Sequence, residues 1–192
     1  MNIGAVVLAA GYSNRFGSVK ICANLNNGRT VLQQTLANIQ SSIPQITVVT
    51  RPELYPLIVD YCPDARVFAD AEKGMGATLA YGIQQVLEES VWEGCLVCLA
   101  DMPFIKPETY RAVGEALTTV NIVVPCYAGR SGNPAGFGAS HFSTLAKLTG
   151  DRGGRSVIQQ NSDLVVKLEV DDPAVLQDID TPDDLRSYDS TS

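Results

Sequence analysis

Short apolar runs alternate along this chain with segments of helical periodicity, and this alternation limits the possible folds more than any other feature. The runs are rich in Val and Ile and mostly apolar on both faces, as in strands that helices cover on either side. Alternating strands and helices predict a largely parallel sheet. Strands are predicted at Ile3–Leu8, Ile46–Val49, Arg66–Phe68, Cys95–Ala100, Ile122–Pro125, Leu164–Leu168 and around Ile179.

The segments between the strands carry helix signals. Thr30 is followed by Gln33 at the third helical position, which is the pattern of a capping box. Further helices are predicted at Leu54–Tyr61, Ala77–Glu89, Pro107–Leu117 and Gly154–Gln160. A chain of 192 residues is long enough for one hydrophobic core. We therefore expect a single α/β domain over residues 1–186 and a loose tail over 187–192.

Composition excludes several classes of protein. A net charge of −7 argues against a nucleic-acid surface, which needs clustered Lys and Arg. No apolar run approaches the ~20 residues that span a bilayer, and the first residues do not resemble a secretory leader. The five cysteines are an odd number, and Cys95 and Cys98 lie inside a predicted strand. We expect a cytoplasmic protein with buried thiols, no membrane contact and no nucleic-acid partner.

The loop after the first strand carries an unusual set of residues. In "VVLAAGYSNRFGSVK" the small residues Ala9, Ala10 and Gly11 allow a ligand to approach the backbone, and Arg15 and Lys20 can neutralise phosphates. The spacing fits neither the Walker A pattern nor the dinucleotide fingerprint. Ligands of parallel sheets bind at the carboxyl ends of strands, where this loop begins. The alternative is a surface turn with two solvated cations.

The same stretch, "LAAGYSNRFGSVK", resembles the L-A-(A/G)-G-x-S-x-R-(M/F)-G-x-x-K signature of the molybdenum-cofactor guanylyl- and cytidylyltransferases. The resemblance implies a Rossmann-like nucleotidyltransferase fold, with a mostly parallel sheet and helices on both faces. It also implies that residues 8–11, beginning with Leu8, wrap the triphosphate of a nucleotide, and that Arg15 and Lys20 act in catalysis.

Two acidic motifs extend the resemblance. "LADMPF" places Asp101 at the end of a strand, where the family has a magnesium ligand, and "DIDTPDDL" offers Asp180 as the second ligand. Magnesium prefers oxygen ligands and is usually held by one or two carboxylates and substrate phosphates. For both residues a helix cap is the alternative, and Asp101 is also expected to take part in catalysis.

A glycine-rich stretch, "EKGMGATLAYGI", is similar to a family segment that lies beside the base and ribose. The resemblance assigns nucleotide binding to Gly74, Met75 and Gly76, and also to Asp70 just before them. A helix start with small residues suits polar ligand groups. Glycine-rich helix starts are common in proteins, so a purely structural explanation stays open.

Two later blocks, "GRSGNPAGFG" and "LTGDRGGRSVI", resemble the cytidylyl branch and its acceptor side. They assign acceptor binding to Asn133 and Arg155, although that branch often carries His where this chain has Asn133. The only histidine, His141, is expected to be a partly exposed surface group without a functional role.

These features predict an Mg²⁺-dependent nucleotidyltransferase. It would move a nucleoside monophosphate from an NTP, CTP rather than GTP, to a phosphorylated acceptor such as the molybdenum cofactor, and release pyrophosphate. One alternative is a sugar or alcohol phosphate as acceptor. Another is a non-catalytic nucleotide-binding accessory factor for molybdenum hydroxylases.

Overall fold

The computed structural model describes residues 1–12, 16–89 and 91–189. The strands are β1 Ile3–Ala9, β2 Gln45–Thr50, β3 Arg66–Val67, β4 Gly94–Leu99, β5 Ile122–Tyr127, β6 Arg130–Ser131, β7 Ala135–Gly138 and β8 Val165–Glu169. The α-helices are α1 Val31–Gln40, α2 Tyr55–Ile58, α3 Met75–Glu89, α4 Pro107–Ala116, α5 Phe142–Leu145, α6 Arg155–Gln160 and α7 Pro182–Asp189.

All eight strands form one sheet in the order β3-β2-β1-β4-β7-β5-β6, with β8 paired to β5. The pairs β1–β2, β1–β4, β2–β3 and β5–β8 are parallel, whereas β7 is antiparallel to β4 and β5, and β6 is antiparallel to β5. The prediction of a mostly parallel α/β domain is confirmed. The chain leaves β1 toward β3 and returns on the other side of β1 at β4, so the strand order reverses between β1 and β4. Ligands of open α/β sheets bind at such a reversal.

Successive residues of β1 point to opposite faces of the sheet. Ala5 and Val7 belong to one buried cluster, which includes Leu32 of α1 and residues of α4. Val6 and Leu8 belong to a second cluster with residues of α3, α5 and α6. The sheet is therefore covered by helices on both faces, as predicted, and its polar groups emerge at the strand ends.

Several predicted elements are confirmed, with shifted ends. The side chain of Thr30 accepts a hydrogen bond from the backbone N of Gln33 at 3.2 Å, and the Gln33 side chain accepts one from the backbone N of Thr30 at 2.9 Å. The helix α3 begins at Met75, two residues before its predicted start, and α2 covers only Tyr55–Ile58. The last helix, α7, runs to Asp189, past the domain boundary predicted at residue 186.

One predicted strand is absent, and the strand β7 was not predicted. The segment around Ile179 is not a strand, although the backbone N of Ile179 donates to the carbonyl of Asp101 at 3.0 Å. The strand β7, in contrast, was missed because glycine and alanine give it no apolar run. A side chain at Gly136 of β7 would lie 3.0 Å from Leu117 and 3.1 Å from Val113. The small residue lets α4 pack directly against the strand.

The prediction that His141 is partly exposed was also wrong, because this residue is buried with only 9% of its surface exposed. That it has no functional role stays a prediction. His141 lies in the short 3-10 helix Ala139–His141, and burial lowers the pKa of its imidazole. Cys95 and Cys98 are buried free thiols in β4, and burial raises the pKa of both, as expected of inert cysteines. Among the described helices none is long and apolar enough to cross a membrane.

One buried carboxylate fixes the segment that follows β4. Asp172 is 2% exposed, and its Oδ2 accepts hydrogen bonds from the backbone N of Lys106 at 2.9 Å and the hydroxyl of Thr109 at 2.6 Å. Its Oδ1 accepts from the backbone N of Ala174 at 3.2 Å. Asp172 thus supplies acceptors to the first turn of α4 from a distant part of the chain.

We expect Asp172→Ala to lower the free energy of unfolding by about 2–4 kcal/mol, because it leaves buried donors without an acceptor. The matched control is Asp171→Ala, since the Asp171 side chain is exposed, and it should cost less than about 0.5 kcal/mol. Urea denaturation followed by circular dichroism measures both values. Equal losses in the two variants would show that the Asp172 contacts contribute nothing specific.

Candidate active site

A cleft of about 490 Å³ opens where the carboxyl ends of β1 and β4 lie side by side. It occupies the reversal of strand order described above, and the backbone N of Ala100 donates to the carbonyl of Leu8 there at 3.2 Å. Most of the residues predicted for nucleotide, catalytic and metal functions line it. They are Leu8, Ala9, Ala10, Gly11, Lys20, Gly74, Met75, Asp101 and Asp180.

A lysine and two carboxylates form the charged centre of this cleft. The Nζ atom of Lys20 lies 2.5 Å from Oδ2 of Asp101 and 3.2 Å from Oδ1 of Asp180. The three side chains are 12%, 17% and 32% exposed, so the ion pairs are only partly screened by solvent. The two acids predicted to share a metal ion therefore face one cation, which is an ammonium group of the protein.

The fold explains why these three residues meet. Asp101 follows β4, and its carbonyl accepts the hydrogen bond from Ile179 that places Asp180 beside it. Lys20 begins the short 3-10 helix Lys20–Cys22 in the connection after β1. Asp178 also lines the cleft and adds a third carboxylate near Asp101.

The charges of this centre influence one another. Burial tends to lower the pKa of Lys20, but the adjacent Asp101 and Asp180 outweigh it and raise that pKa. Burial raises the pKa of Asp101, and the ammonium of Lys20 opposes this rise without cancelling it. Lys20 is therefore firmly protonated, and it is the group that makes a buried Asp101 carboxylate tolerable.

The alternative interpretation of Asp180 as a helix cap does not agree with the structure. The cap of α7 is formed by Thr181 and Asp184, since Asp184 N donates to Thr181 Oγ1 at 3.1 Å. The Asp184 carboxylate accepts from Thr181 N at 2.7 Å and from Asp180 N at 3.1 Å. Hydrogen bonds from Thr181 lower the pKa of Asp184. The side chain of Asp180 instead faces the cleft, while Asp183 pairs with Arg186 on the surface.

The donor set fits a magnesium-type ion. Carboxylate oxygens are the ligands that Mg²⁺ prefers, and it commonly takes one or two carboxylates together with phosphates and water. Across residues 1–12, 16–89 and 91–189 no group of three or more His, Cys, Asp or Glu side chains could hold a metal by itself. The pair Asp101 and Asp180 supplies two carboxylates of this kind.

The glycines of the cleft differ in what they allow. A side chain at Gly11 would meet no atom within 4 Å, so packing does not require glycine there. At Gly74, whose φ is +103°, a Cβ would lie 2.3 Å from Asp151 Oδ1 and 2.6 Å from the carbonyl carbon of Gly150. The backbone N of Gly76 donates to the carbonyl of Gly150 at 2.6 Å, and Gly76 is not among the residues that line the cleft. Gly74 and Gly76 thus allow the chain around residue 150 to pack closely.

Two described residues that were predicted to bind the nucleotide, Gly76 and Asp70, do not line the cleft. The carboxylate of Asp70 is 51% exposed and pairs with Lys73 at 2.6 Å. Arg15 lies outside the described residues. The predicted functions of all three residues remain predictions.

A second cleft of about 830 Å³ adjoins the first and shares Leu8, Met75, Leu99 and Asp151 with it. Asn133 and Arg155, the residues predicted to bind the acceptor, line this second cleft.

Sequence reasoning missed several residues of the two clefts, namely Tyr12, Thr78, Asp151, Arg152, Asp178 and Lys167. Most of them lie in the stretches quoted above, and only the neighbouring motif residues were assigned functions there. No sequence feature indicated a function for Lys167, because it lies on β8, where the pattern indicated only a strand.

Comparison with known proteins agrees with this geometry. Residues 5–165 match the family described as the MobA-like NTP transferase domain. The purine catabolism protein PucB of Bacillus subtilis (strain 168) is 30% identical over 93% of this chain and 92% of its own length. A probable molybdenum cofactor guanylyltransferase of Geobacillus sp. (strain WCH70) is 31% identical over 55% of this chain, and the match spans about half of that protein (53%).

Solved structures agree over the whole chain. The crystal structure of Rv0371c from Mycobacterium tuberculosis H37Rv superposes with a TM-score of 0.86, at 29% identity and with full coverage of both chains. A second structure of Rv0371c, a complex with manganese, has a TM-score of 0.81 at 26% identity, again with full coverage of both chains.

The two cleft glycines give a test that separates packing from ligand contact. We expect Gly74→Ala to lower the free energy of unfolding by about 1–3 kcal/mol, because the positive φ and the close backbone both oppose a side chain. Gly11→Ala should leave stability within about 0.5 kcal/mol of the parent and should weaken nucleotide binding, because its methyl group projects into the cleft. Denaturation curves and nucleotide titrations of both variants check this. A Gly11→Ala protein with unchanged nucleotide affinity would contradict a ligand contact at Gly11.

Proposed function

Because this chain belongs to the MobA-like NTP transferase family and is a nucleotidyltransferase, we propose that it transfers CMP from CTP to the phosphate of a molybdenum-cofactor-type acceptor. The reaction would release pyrophosphate and require Mg²⁺. The observation that carries the proposal is the centre formed by Lys20, Asp101 and Asp180, which lies in the nucleotide cleft beside a second, basic cleft.

In the proposed reaction an oxygen of the acceptor phosphate attacks the α-phosphorus of the nucleotide. The bond between the α-phosphorus and the bridging oxygen breaks, and pyrophosphate leaves with the electron pair. The acceptor phosphate is already anionic at neutral pH, so no side chain needs to remove a proton. Positioning and neutralisation of charge are then the main contributions of the protein.

Named residues supply that positioning. The small residues Ala9, Ala10 and Gly11 leave the backbone of the loop after β1 accessible to phosphate oxygens. Lys20 is protonated and reaches the centre of the cleft, where it can contact the phosphates of the nucleotide; Arg15 is proposed to assist. Asp101 and Asp180 would hold the metal. When bound, Mg²⁺ offsets the phosphate charge and aligns the reacting groups.

The second cleft has the chemistry of an anionic acceptor site. Its cations Arg152, Arg155 and Lys167 have no side-chain hydrogen bond or ion pair with any residue in the described part of the chain. Asp151 is the one acid among the residues that line it. These three cations line one cleft in a chain of net charge −7. Apolar residues such as Val97 also line this cleft and suit a flat organic group.

CTP is proposed over GTP because the blocks "GNPAGF" and "GDRGGR" resemble the cytidylyl branch. The turn at Gly74 packs against the backbone of Gly150, and small residues of β1 line the same cleft, which favours a single-ring base. GTP is the second candidate, because relatives such as the Geobacillus protein are named as probable guanylyltransferases. A non-catalytic accessory function is disfavoured, since binding alone does not require two acids and a lysine around one point.

Competition between labelled CTP and unlabelled GTP tests the choice of nucleotide. We expect CTP to bind at least about 10-fold more tightly, which corresponds to about 1.4 kcal/mol, in the presence of Mg²⁺. Titration with ATP and UTP gives the baseline for triphosphate binding alone. A preference for GTP would overturn the CTP proposal and leave the nucleotidyltransferase activity in place.

Asp101→Asn tests the metal assignment. We expect the rate of nucleotide transfer to fall by roughly 10²-fold or more, on the scale of losing one preorganised charge contact, while the fold is kept because volume hardly changes. The matched control is Asp183→Asn, since Asp183 is exposed and pairs only with Arg186. Pyrophosphate release at several Mg²⁺ and Mn²⁺ concentrations measures the loss. A variant with near-normal metal-dependent turnover would show that Asp101 is not a ligand.

A further inference from the structure

An arginine and a tyrosine beside the nucleotide cleft form a contact that the proposed reaction does not use. The guanidinium carbon of Arg51 lies 4.2 Å from the centroid of the Tyr12 ring. Arg51 follows β2 and is 8% exposed, whereas Tyr12 follows Gly11, lines the nucleotide cleft and is 47% exposed. A buried cation thus covers part of an aromatic ring that faces the cleft.

Arg51 makes few other interactions. Its Nε and Nη1 atoms are buried and find no hydrogen-bond acceptor among the residues that the structure describes. Its ion pair is with Glu53, at 3.5 Å, and that carboxylate is 69% exposed. A buried charge with so little compensation is costly. The stack on Tyr12 is the contact that best explains this placement, since a planar guanidinium packs well on an aromatic face.

The strand register shows how Arg51 reaches the nucleotide loop. Ala9 of β1 is paired with Thr50 of β2, and the Thr50 hydroxyl donates to the Ala9 carbonyl at 3.4 Å. The chain therefore passes from Ala9 to Tyr12, and from Thr50 to Arg51, along the same edge of the sheet. Arg51 holds Tyr12 from the neighbouring strand, at the point where the loop leaves β1.

We propose that the Tyr12 ring stacks on the base of the bound nucleotide, and that Arg51 is the positioning residue that holds the ring. An exposed aromatic ring on the wall of a nucleotide cleft offers a base a flat surface, and every base has a π face to place on it. The ligand class is thus a planar heterocycle attached to a triphosphate. This inference rests on the proposed function, because it assumes that the cleft takes a nucleotide.

Comparison of nucleotides with inorganic tripolyphosphate isolates the base contact. We expect Tyr12→Ala to weaken the binding of CTP and GTP by roughly 5- to 150-fold, the range that corresponds to loss of one base–aromatic stack. Binding of tripolyphosphate should be unchanged, and Tyr12→Phe should bind nucleotides as the parent does. Equal losses for nucleotides and tripolyphosphate would overturn the proposal, because they would show that Tyr12 only shapes the phosphate loop.

Arg51→Met tests the positioning residue. It should weaken nucleotide binding, as Tyr12→Ala does. Combining the two changes should cause no further loss of affinity, because Arg51 acts through the ring. Arg66→Met is the matched control, since Arg66 pairs with Glu89 at the surface away from the cleft. Additive losses in the double variant, or a lower melting temperature without a selective loss of nucleotide affinity, would overturn the positioning role.

Tyr12→Trp supplies a spectroscopic signature. The natural tryptophan, Trp92, is buried and packs among core residues. A change in tryptophan fluorescence on ligand addition therefore reports on position 12. We expect quenching of fluorescence by CTP and none by tripolyphosphate, and an absence of quenching by bound CTP would refute stacking. If the parent protein binds neither ligand, the proposed function fails as well; if it binds CTP and the variants bind equally, only this inference fails.

Discussion

The ion pairs of Lys20 with Asp101 and Asp180 join three parts of the chain that are far apart in sequence. Lys20 comes from the connection after β1, Asp101 from the end of β4, and Asp180 from the segment that precedes the last helix. Two carboxylates this close and this poorly hydrated would repel each other without a cation between them. The ammonium group therefore offsets the negative charge of both acids before any substrate or metal reaches them.

This arrangement also gives the lysine two roles under the proposed function. In the ligand-free protein it pairs with the acids, and in the proposed reaction it would contact phosphate while Asp101 and Asp180 would hold the metal. The acids would have a cation beside them in both cases, so they would not need to move. Electrostatic preorganisation of this kind is most effective where the charged groups are already in position before reaction.

Much of the fold and of the nucleotide cleft could be predicted from sequence, because the signals there are local. The runs of β1, β2, β4 and β5 are mostly apolar, and Lys20, Asp101 and Asp180 lie in short motifs whose residues line one cleft. The strand β7 could not be predicted from the sequence, since it carries no apolar pattern. Gly136 is small because α4 packs directly on it. The Ile179 segment was wrongly predicted for the opposite reason: Ile179 itself is apolar and buried, yet its backbone N pairs with a loop carbonyl and not with a strand. The exposure of Asp70 could not be predicted from its position in the chain, because Asp70 forms an ion pair with Lys73 at the surface.

The antiparallel strand β7 has a geometric consequence for the size of the substrate. Neighbouring strands lie about 4.8 Å apart, so β7 sets the carboxyl ends of β4 and β5 about 10 Å apart, twice the spacing of direct neighbours. Because β7 runs against them, its amino end reaches the same edge and brings Asn133 there. If β4 and β5 were direct neighbours, this edge would offer a furrow one strand wide. The inserted strand β7 doubles that width, and under the proposed function the added room would serve an acceptor of more than one ring next to the nucleotide.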